Sequence, residues 1–268
     1  MQLIQVDGER CIKCGICVKA CPVGVLKLEA EVREIAPEAC IACGHCVAVC
    51  PQAALDHRNN PLVHQVAFTR FPVISEEQGQ RFLRSRRSIR SYKNKAVPRE
   101  KLLQLLEIGR FAATASNRQG VAYVVVEDKG VLQKATELMI QWMEAQEKAS
   151  SHWSFRYHIE AYRKQGSDPI LRGAPYLILA TTAEGHPRGR ENTIFSLAYI
   201  ELYATLLGLG TCWAGLLEMG LQDSYAPLLK LFNIQEGRRI TGALMAGYPE
   251  YHYKRLVDRN PLEVTWLS

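Results

Sequence analysis

Residues 11–22 read CIKCGICVKACP and residues 40–51 read CIACGHCVAVCP, two copies of one pattern offset by 29 positions and identical at eight of twelve. Eight of the nine cysteines in the 268-residue chain fall inside these copies. An internal duplication of this kind implies one small structural unit used twice. Each copy is spaced C-x2-C-x2-C-x3-C-P, which wraps three thiolates around one face of an iron–sulfur cubane while the fourth cysteine crosses to a second one. The spacing assigns Cys11, Cys14, Cys17 and Cys50 to one [4Fe–4S] cluster, and Cys40, Cys43, Cys46 and Cys21 to another. Pro22 and Pro51 turn the chain away behind the crossing ligands, and Gly15 and Gly44, lacking Cβ, let the backbone pass close to inorganic sulfide. Structural zinc would call for ligands in two separated pairs, which this spacing does not offer. Disulfides conflict with the expected compartment. No basic–apolar–small leader is seen and no apolar run reaches the roughly eighteen residues of a membrane span, so the cytoplasm is expected, where clustered cysteines bind metal.

Short strands are expected at Leu3–Val6, Val25–Leu28 and Val32–Ile35, with a helical turn after each third cysteine. This strand–helix–strand plan resembles bacterial two-cluster ferredoxins over residues 1–57. Residues 58–75 carry Asn59, Asn60, Pro61 and Pro72 without a sustained period and read as a linker, expected to pack through Val63, Val66, Phe68 and Phe71. Residues 76–268 form the large domain. Charge divides along the same line: residues 1–57 hold five basic and seven acidic side chains, against twenty-eight and twenty in the remainder. An acidic head thus meets a basic body, consistent with docking between them. Ten of the basic residues lie between Arg81 and Arg110, a local concentration that argues for an anion site rather than nucleic-acid binding.

In the large domain, Arg99–Phe111, Val131–Lys148 and Asn192–Gly208 read as helices, with a further helical segment over Ser151–Gly166; Ala122–Val126, Tyr176–Thr181 and Ile240–Gly247 read as buried strands. The interleaving places the domain in the α+β or α/β class. Asn192–Gly208 is almost devoid of charge, so it is expected to be buried on all sides, partly at a subunit interface. Arg86-Arg87-Ser88-Ile89-Arg90 suits a phosphate, since guanidinium forks match phosphate oxygens, or else is a solvated basic face or a localisation tag. Ser116-Asn117-Arg118-Gln119 offers carboxamides at the mouth of a strand, fit for a heterocycle's polar edge or simply a polar turn. Gly208–Gly215 reads GLGTCWAG. It follows a helix rather than a strand and has Trp213 where a dinucleotide loop needs its last glycine, so it reads instead as a backbone-presenting loop open to a flat ring. Cys212 there is expected to be a small buried hydrophobe. After Gly247-Tyr248-Pro249, the basic residues Lys254, Arg255 and Arg259 are either a second grip on the same phosphate or a solvated tail.

Taken in order, these segments resemble the nitroreductase family of flavoenzymes, with its R-R-S-x-R, S-x-N-x-Q, GLGTCW and GYP text, over residues 80–268. The resemblance implies an α+β sandwich that dimerises with FMN between subunits, in keeping with the apolar Asn192–Gly208 helix. It implies that Arg86, Ser88 and Arg90, with Arg87 beside them, contact FMN phosphate and ring; that Asn117 and Gln119 meet the flavin's polar edge; that Trp213, Ala214 and Gly215 line the isoalloxazine and offer backbone donors; and that Arg255 and Arg259 close on the phosphate. Gly120 and Val121 depart from the proline and aromatic that usually follow the glutamine. Joined to the cysteine repeat, the domain implies an oxidoreductase that passes electrons from a low-potential donor such as ferredoxin through two clusters to FMN, and then to a nitroaromatic, quinone or activated alkene. Trp213 and part of Ser151–Gly166 are expected to cover the acceptor, and no side chain presents itself as an obligate proton donor. Two other readings are a non-catalytic carrier or redox sensor, and an NAD(P)H-driven flavin enzyme whose clusters carry electrons outward.

Overall fold

Each copy of the cysteine pattern folds the same way because its glycine adopts a backbone conformation that side chains resist. Gly15 and Gly44 have φ of 72° and 73° and cap the helices α1 (Ile16–Ala20) and α2 (His45–Ala48). The helical turns therefore begin one residue before the third cysteines rather than after them. The pairing by 29 positions extends to other left-handed residues: Lys13 with Ala42, and Gly24 with Ala53.

In this computed structural model, residues 2–67, 74–149 and 152–267 are described. They divide into two units, Met1–Val73 with Ala115–Arg118, and Ile74–Thr114 with Gln119–Ser268. In the first, β1 (Ile4–Val6) pairs antiparallel with β4 (Leu55–His57), and β2 (Leu26–Leu28) with β3 (Val32–Glu34). Ile4, Val25, Leu26, Val47 and Leu55 form its core together with Cys17 and Cys46. The stretch after β4 folds back on this unit through polar groups, not through its valines. Asp56 Oδ1 accepts from the Leu62 N–H at 2.8 Å, and the Asn60 carboxamide donates to the Ala42 carbonyl. Val63 and Val66 are 84% and 90% exposed, so the expected apolar packing fails at both; Phe68, Phe71 and Pro72 lie outside the described residues.

The second unit is built on an antiparallel sheet of β5 (Ala122–Val126), β6 (Tyr176–Ala183), β7 (Gly210–Trp213) and β8 (Arg238–Gly247), in the order β5-β6-β8-β7. Its helices are α3 (Glu76–Ser85), α4 (Arg99–Glu107), α5 (Lys129–Ala149), α6 (Phe155–Gln165), α7 (Gly189–Leu206), α8 (Gly215–Gln222) and α9 (Ala226–Phe232). Strand alternation divides the core in two. Leu177, Leu179, Ala243 and Met245 join α5 residues such as Met139 and Met143 on one face. Tyr176, Ile178, Ala180 and Leu244 join Leu105, Leu197 and Ile200 on the other. A central strand covered on both faces reads as a continuous apolar run, which is why β6 was legible in sequence.

Two expectations change. Ala122–Val126 is a strand but forms the sheet's edge, so it is only half-buried. Residues 210–213 are a strand and not a loop, registered against β8 from Gly210↔Gly247 to Trp213↔Leu244. Within the single chain, helix α7 turns Thr193, Ser196, Leu197, Ile200, Glu201 and Ala204 inward and leaves Ile194, Phe195, Tyr199 and Leu206 exposed, the side for which burial at a subunit interface was expected. Its low charge has a second cause, because buried hydroxyls take the place of ions. Ser196 Oγ donates to the Gly109 carbonyl at 2.7 Å, and Thr193 and Thr241 hydroxyls lie 2.6 Å apart.

Candidate functional site

In the first unit, one small cavity is lined by Cys11, Cys14, Cys17 and Cys50, and a second by Cys21, Cys40, Cys43 and Cys46. These are the two sets given by the spacing, crossing cysteine included. Among the described residues no three His, Cys, Asp or Glu side chains converge on a single-ion position. Four thiols ringing a hollow suit a multi-atom cluster, whose metal–sulfur core spreads its ligands, better than one ion. Helix starts at Gly15 and Gly44 bring Cys17 and Cys46 into buried first turns. Burial pushes the Cys17 thiol up and the Cys46 thiol up to about 11.

Backbone donors converge on the sulfurs. The Val25 N–H points to Cys21 Sγ at 3.3 Å and the Ala54 N–H to Cys50 Sγ at 3.3 Å, a pair related by the 29-residue repeat. The Ala42 N–H adds a contact to Cys40 Sγ at 3.4 Å. His57, to which the sequence reading gave no role, stands beside the same sulfur: its Nε2 lies 3.5 Å from Cys40 Sγ, and the residue is 1% exposed. The Asn59 N–H donates to His57 Nδ1 at 3.0 Å. Burial, the largest influence, lowers the imidazole pKa below its ordinary value.

In the second unit, three of the four sequence segments meet. Residues 86–92 run along β7, with a bridge between Ser88 and Thr211 and the Ile89 N–H donating to the Thr211 carbonyl at 2.9 Å. Tyr92 bridges Pro249, and the Lys93 N–H donates to the Tyr248 carbonyl at 2.9 Å. Gly210 makes this possible: a Cβ there would lie 2.6 Å from Ile89 Cγ1 and 2.9 Å from its Cβ. The glycine expected to admit a flat ring thus admits Ile89.

Arg86 is held by a buried carboxylate. Its Nη1 is 3.4 Å from Glu201 Oε1, while the Trp213 indole N–H donates to Glu201 Oε2 at 2.9 Å. Glu201 is 6% exposed; burial raises its carboxyl above the ordinary range, and Arg86 and Trp213 oppose that rise. The sequence held a signal for it, since Glu201 is the sole ion within Asn192–Gly208. A second such pair joins Arg190 Nη2 to buried Glu218 Oε2 at 2.7 Å. Arg190 also covers the Trp213 ring at 5.3 Å, so Trp213 is held by both networks. Helix α6 packs on α5. Its Arg163 bridges Glu137 and Glu144 of α5, and Phe155 packs edge-on against Trp142; Ser151 lies outside the described residues.

The remaining nominated residues are placed as follows. Arg87 stands 5.2 Å over the Tyr253 ring, and Arg90 is exposed with Nη1 at 3.4 Å from the Ser88 carbonyl. The Ala214 N–H is spent on the Ala243 carbonyl at 2.9 Å, so it is not the free backbone donor expected; Gly215 opens α8, where a first helical N–H has no intrahelical partner. Cys212 is buried in the core, with its thiol pushed up by burial. Asn117 belongs with the first unit, its carboxamide donating to the Ile41 and Ala42 carbonyls at 3.1 and 2.8 Å. Gln119 is exposed, with its N–H on Thr114 Oγ1 at 2.9 Å. Arg255 and Arg259 are exposed, and among the described residues neither contacts the Arg86–Arg90 segment. Two wide grooves of this unit, one flanked by Arg190, Glu218 and Arg239 and one by Lys93, Thr136 and Asp168, are lined by none of the nominated residues.

Comparison with known proteins covers both units. The model of the nitroreductase family matches residues 83–248, and that of a 4Fe-4S dicluster domain matches residues 3–51. An iodotyrosine deiodinase from Thermotoga neapolitana is 25% identical over 178 residues, spanning 62% of this chain and 86% of the relative. A nitroreductase with bound FMN from Desulfitobacterium hafniense DCB-2 superposes with a TM-score of 0.60 at 18% identity, covering 73% of this chain and 100% of that one. One from Bacteroides fragilis, also with bound FMN, gives 0.59 at 18% identity over 72% and 100%.

Proposed function

The chain belongs to the nitroreductase family, with a 4Fe-4S dicluster domain ahead of the family domain, and from that premise we propose an iron–sulfur flavoprotein oxidoreductase in the cytoplasm. In this reading a low-potential donor such as reduced ferredoxin delivers electrons through two [4Fe–4S] clusters to FMN, and a nitroaromatic, quinone or activated alkene receives them. The observation that carries it is the lining of two separate cavities by four cysteines each, in one chain with a nitroreductase-family domain. Clusters supply single electrons, and a flavin joins two of them into a hydride equivalent.

The chain's own residues have assigned tasks. The cysteines bind the clusters, and the Val25, Ala42 and Ala54 N–H groups orient and tune their sulfurs. Arg87, Ser88 and Arg90 hold the FMN phosphate, with Arg255 and Arg259 closing from the C-terminal segment. Arg86 is positioned toward the flavin by Glu201, and Trp213 forms a rigid wall because its indole is tied to the same carboxylate. Gly215 offers an N–H at the start of α8. Gln119 meets the ring's polar edge, as does Asn117 through the oxygen of its carboxamide.

Iron and flavin analysis tests the assignment. About eight irons per FMN, with broad cluster absorbance beneath the flavin bands, are expected; fewer than about six irons, or no flavin, would reject it.

The family domain is further proposed to form a homodimer through the exposed apolar row of α7, in which Phe195 is 53% exposed. Sedimentation equilibrium should return twice the 30.2 kDa chain mass, and Phe195→Glu should return the single chain. A wild-type monomer at micromolar concentration would defeat this.

A further inference from the structure

The internal duplication supplies its own control, since each ligand of one cluster has a counterpart 29 positions away. Most of the surroundings match. Val25 on Cys21 and Ala54 on Cys50 contribute one backbone N–H to each cluster and cancel. What does not match lies at Cys40. His57 touches its sulfur, and the counterpart of His57 is Leu28, beside a cluster whose corresponding ligand is Cys11. The hollow lined by Cys21, Cys40, Cys43 and Cys46 includes His57 and His45 in its wall, of which His57 is the one with a ring nitrogen at a cysteine sulfur, while the other is walled by Val32, Leu55 and further residues without a histidine. Among the described residues, no side chain donates to the sulfurs of Cys11, Cys14, Cys17 or Cys50.

The tautomer of His57 follows from its other nitrogen. A backbone N–H can only donate, and that of Asn59 points at Nδ1 at 3.0 Å, so Nδ1 is the acceptor and the ring proton sits on Nε2. That proton faces Cys40 Sγ at 3.5 Å. The residue is buried at the end of β4, where its backbone N–H donates to Asp56 Oδ1 at 2.8 Å. The loop bearing Cys40 is held too: the carboxamides of Asn60 and Asn117 both donate to the Ala42 carbonyl.

We infer that His57 makes the two clusters unequal: its Nε2–H donates to the Cys40 sulfur, and this bond places the cluster of Cys21, Cys40, Cys43 and Cys46 at the higher reduction potential. The physical reason is differential charge. A reduced cluster carries one more negative charge than an oxidised one, spread onto its thiolate sulfurs, so a fixed N–H dipole stabilises the reduced form more. The Ala42 N–H on the same sulfur acts in the same direction. An electron arriving at either cluster then settles on the one beside His57.

This rests on the two-cluster reading above, and the experiment separates the two. EPR-monitored redox titration of the full chain, with iron determined on the same sample, should resolve two one-electron steps. His57→Leu installs the residue the first repeat carries. It is expected to lower the higher potential by about 59 mV, a tenfold change in that step's equilibrium constant, and to leave the lower potential where it was. Unchanged potentials at full iron content, or a shift of the lower one, would overturn the inference. A wild-type chain with only about four irons would instead overturn the two-cluster reading beneath it. Isotopic labelling of histidine nitrogen gives a second readout. Pulsed EPR, poised so that only the higher-potential cluster is reduced, should show a histidine nitrogen coupling in the wild-type chain that His57→Leu removes although His45 also lines the hollow, and no coupling, or one unchanged in the variant, would likewise overturn the assignment.

Discussion

Replacing Cys14 with alanine is expected to lower ferredoxin-driven reduction of an acceptor by about two orders of magnitude while leaving chemically reduced flavin competent. Cys14 is the second of three ligands that one copy of the motif supplies, and it lines the same hollow as Cys11, Cys17 and Cys50. Losing it strands the other three, so iron should fall from about eight to about four per chain. The second unit has its own sheet, and both of its cores are made of its own residues, so FMN content should hold. The comparison that matters is between electron sources. With reduced ferredoxin the donor must pass through the damaged relay; with dithionite the flavin is charged directly. A variant that lacks half its iron yet turns over at the wild-type rate with ferredoxin would end the proposed order of transfer. Bleaching of the wild-type flavin by NAD(P)H within turnover time would reverse its direction.

Arg86→Ala should destabilise the protein by about 3 kcal/mol, more than any loss of surface charge could. The cause is what remains behind. Glu201 sits inside α7, and Arg86, the Trp213 N–H and the Thr211 hydroxyl are the groups that make its charge tolerable there. Without the guanidinium the carboxylate must stay charged in an apolar setting or take up a proton. Its folded pKa, already raised by burial, should rise further. A raised carboxyl pKa means the folded state binds the extra proton, so the associated stability is fully present below the unfolded value of about 4.3 and is lost as pH rises through the folded value. The variant should therefore lose more stability at pH 8 than at pH 5, read as urea midpoints. Adding Glu201→Gln removes the charge but keeps an acceptor for the indole, and should recover most of the loss and flatten the pH dependence. A penalty equal at both pH values, or no recovery by Glu201→Gln, would show that Glu201 is not the buried charge at issue.

The contrast between these two sites explains what could be read from the chain. The proposed cluster ligands come from short segments, and the C-x2-C-x2-C-x3-C spacing divides the cysteines into the same two sets of four that line the two hollows. Helices and interior strands were legible where burial imposes a period, as in β6 and α5. Strand β7 escaped because four residues are too few for a period, and its identity depends on β8 lying alongside. Glu201 was visible only as an anomaly, one charge in an uncharged helix; that it faces Arg86 depends on a separation of 115 residues.

Asn117 shows the same limit from the other side. Its sequence neighbours place it with a ring-binding turn, yet its carboxamide rests on Ile41 and Ala42, some 75 residues back along the chain. His57 is subtler still. A histidine at the end of a strand has no distinctive spacing, although alignment of the two repeats sets it opposite Leu28.

By itself, then, the sequence determined the opening pair of cysteine motifs, the division of their cysteines into two sets of four and the family of the domain that follows, because each is written in local spacing. Only the tertiary structure decided which charges are paired in the interior, which glycine makes room for Ile89, and which sulfur His57 stands beside. Those depend on atoms that approach within hydrogen-bonding or van der Waals distance across long stretches of chain, and the energies involved fall off too steeply with distance for any local pattern to record them.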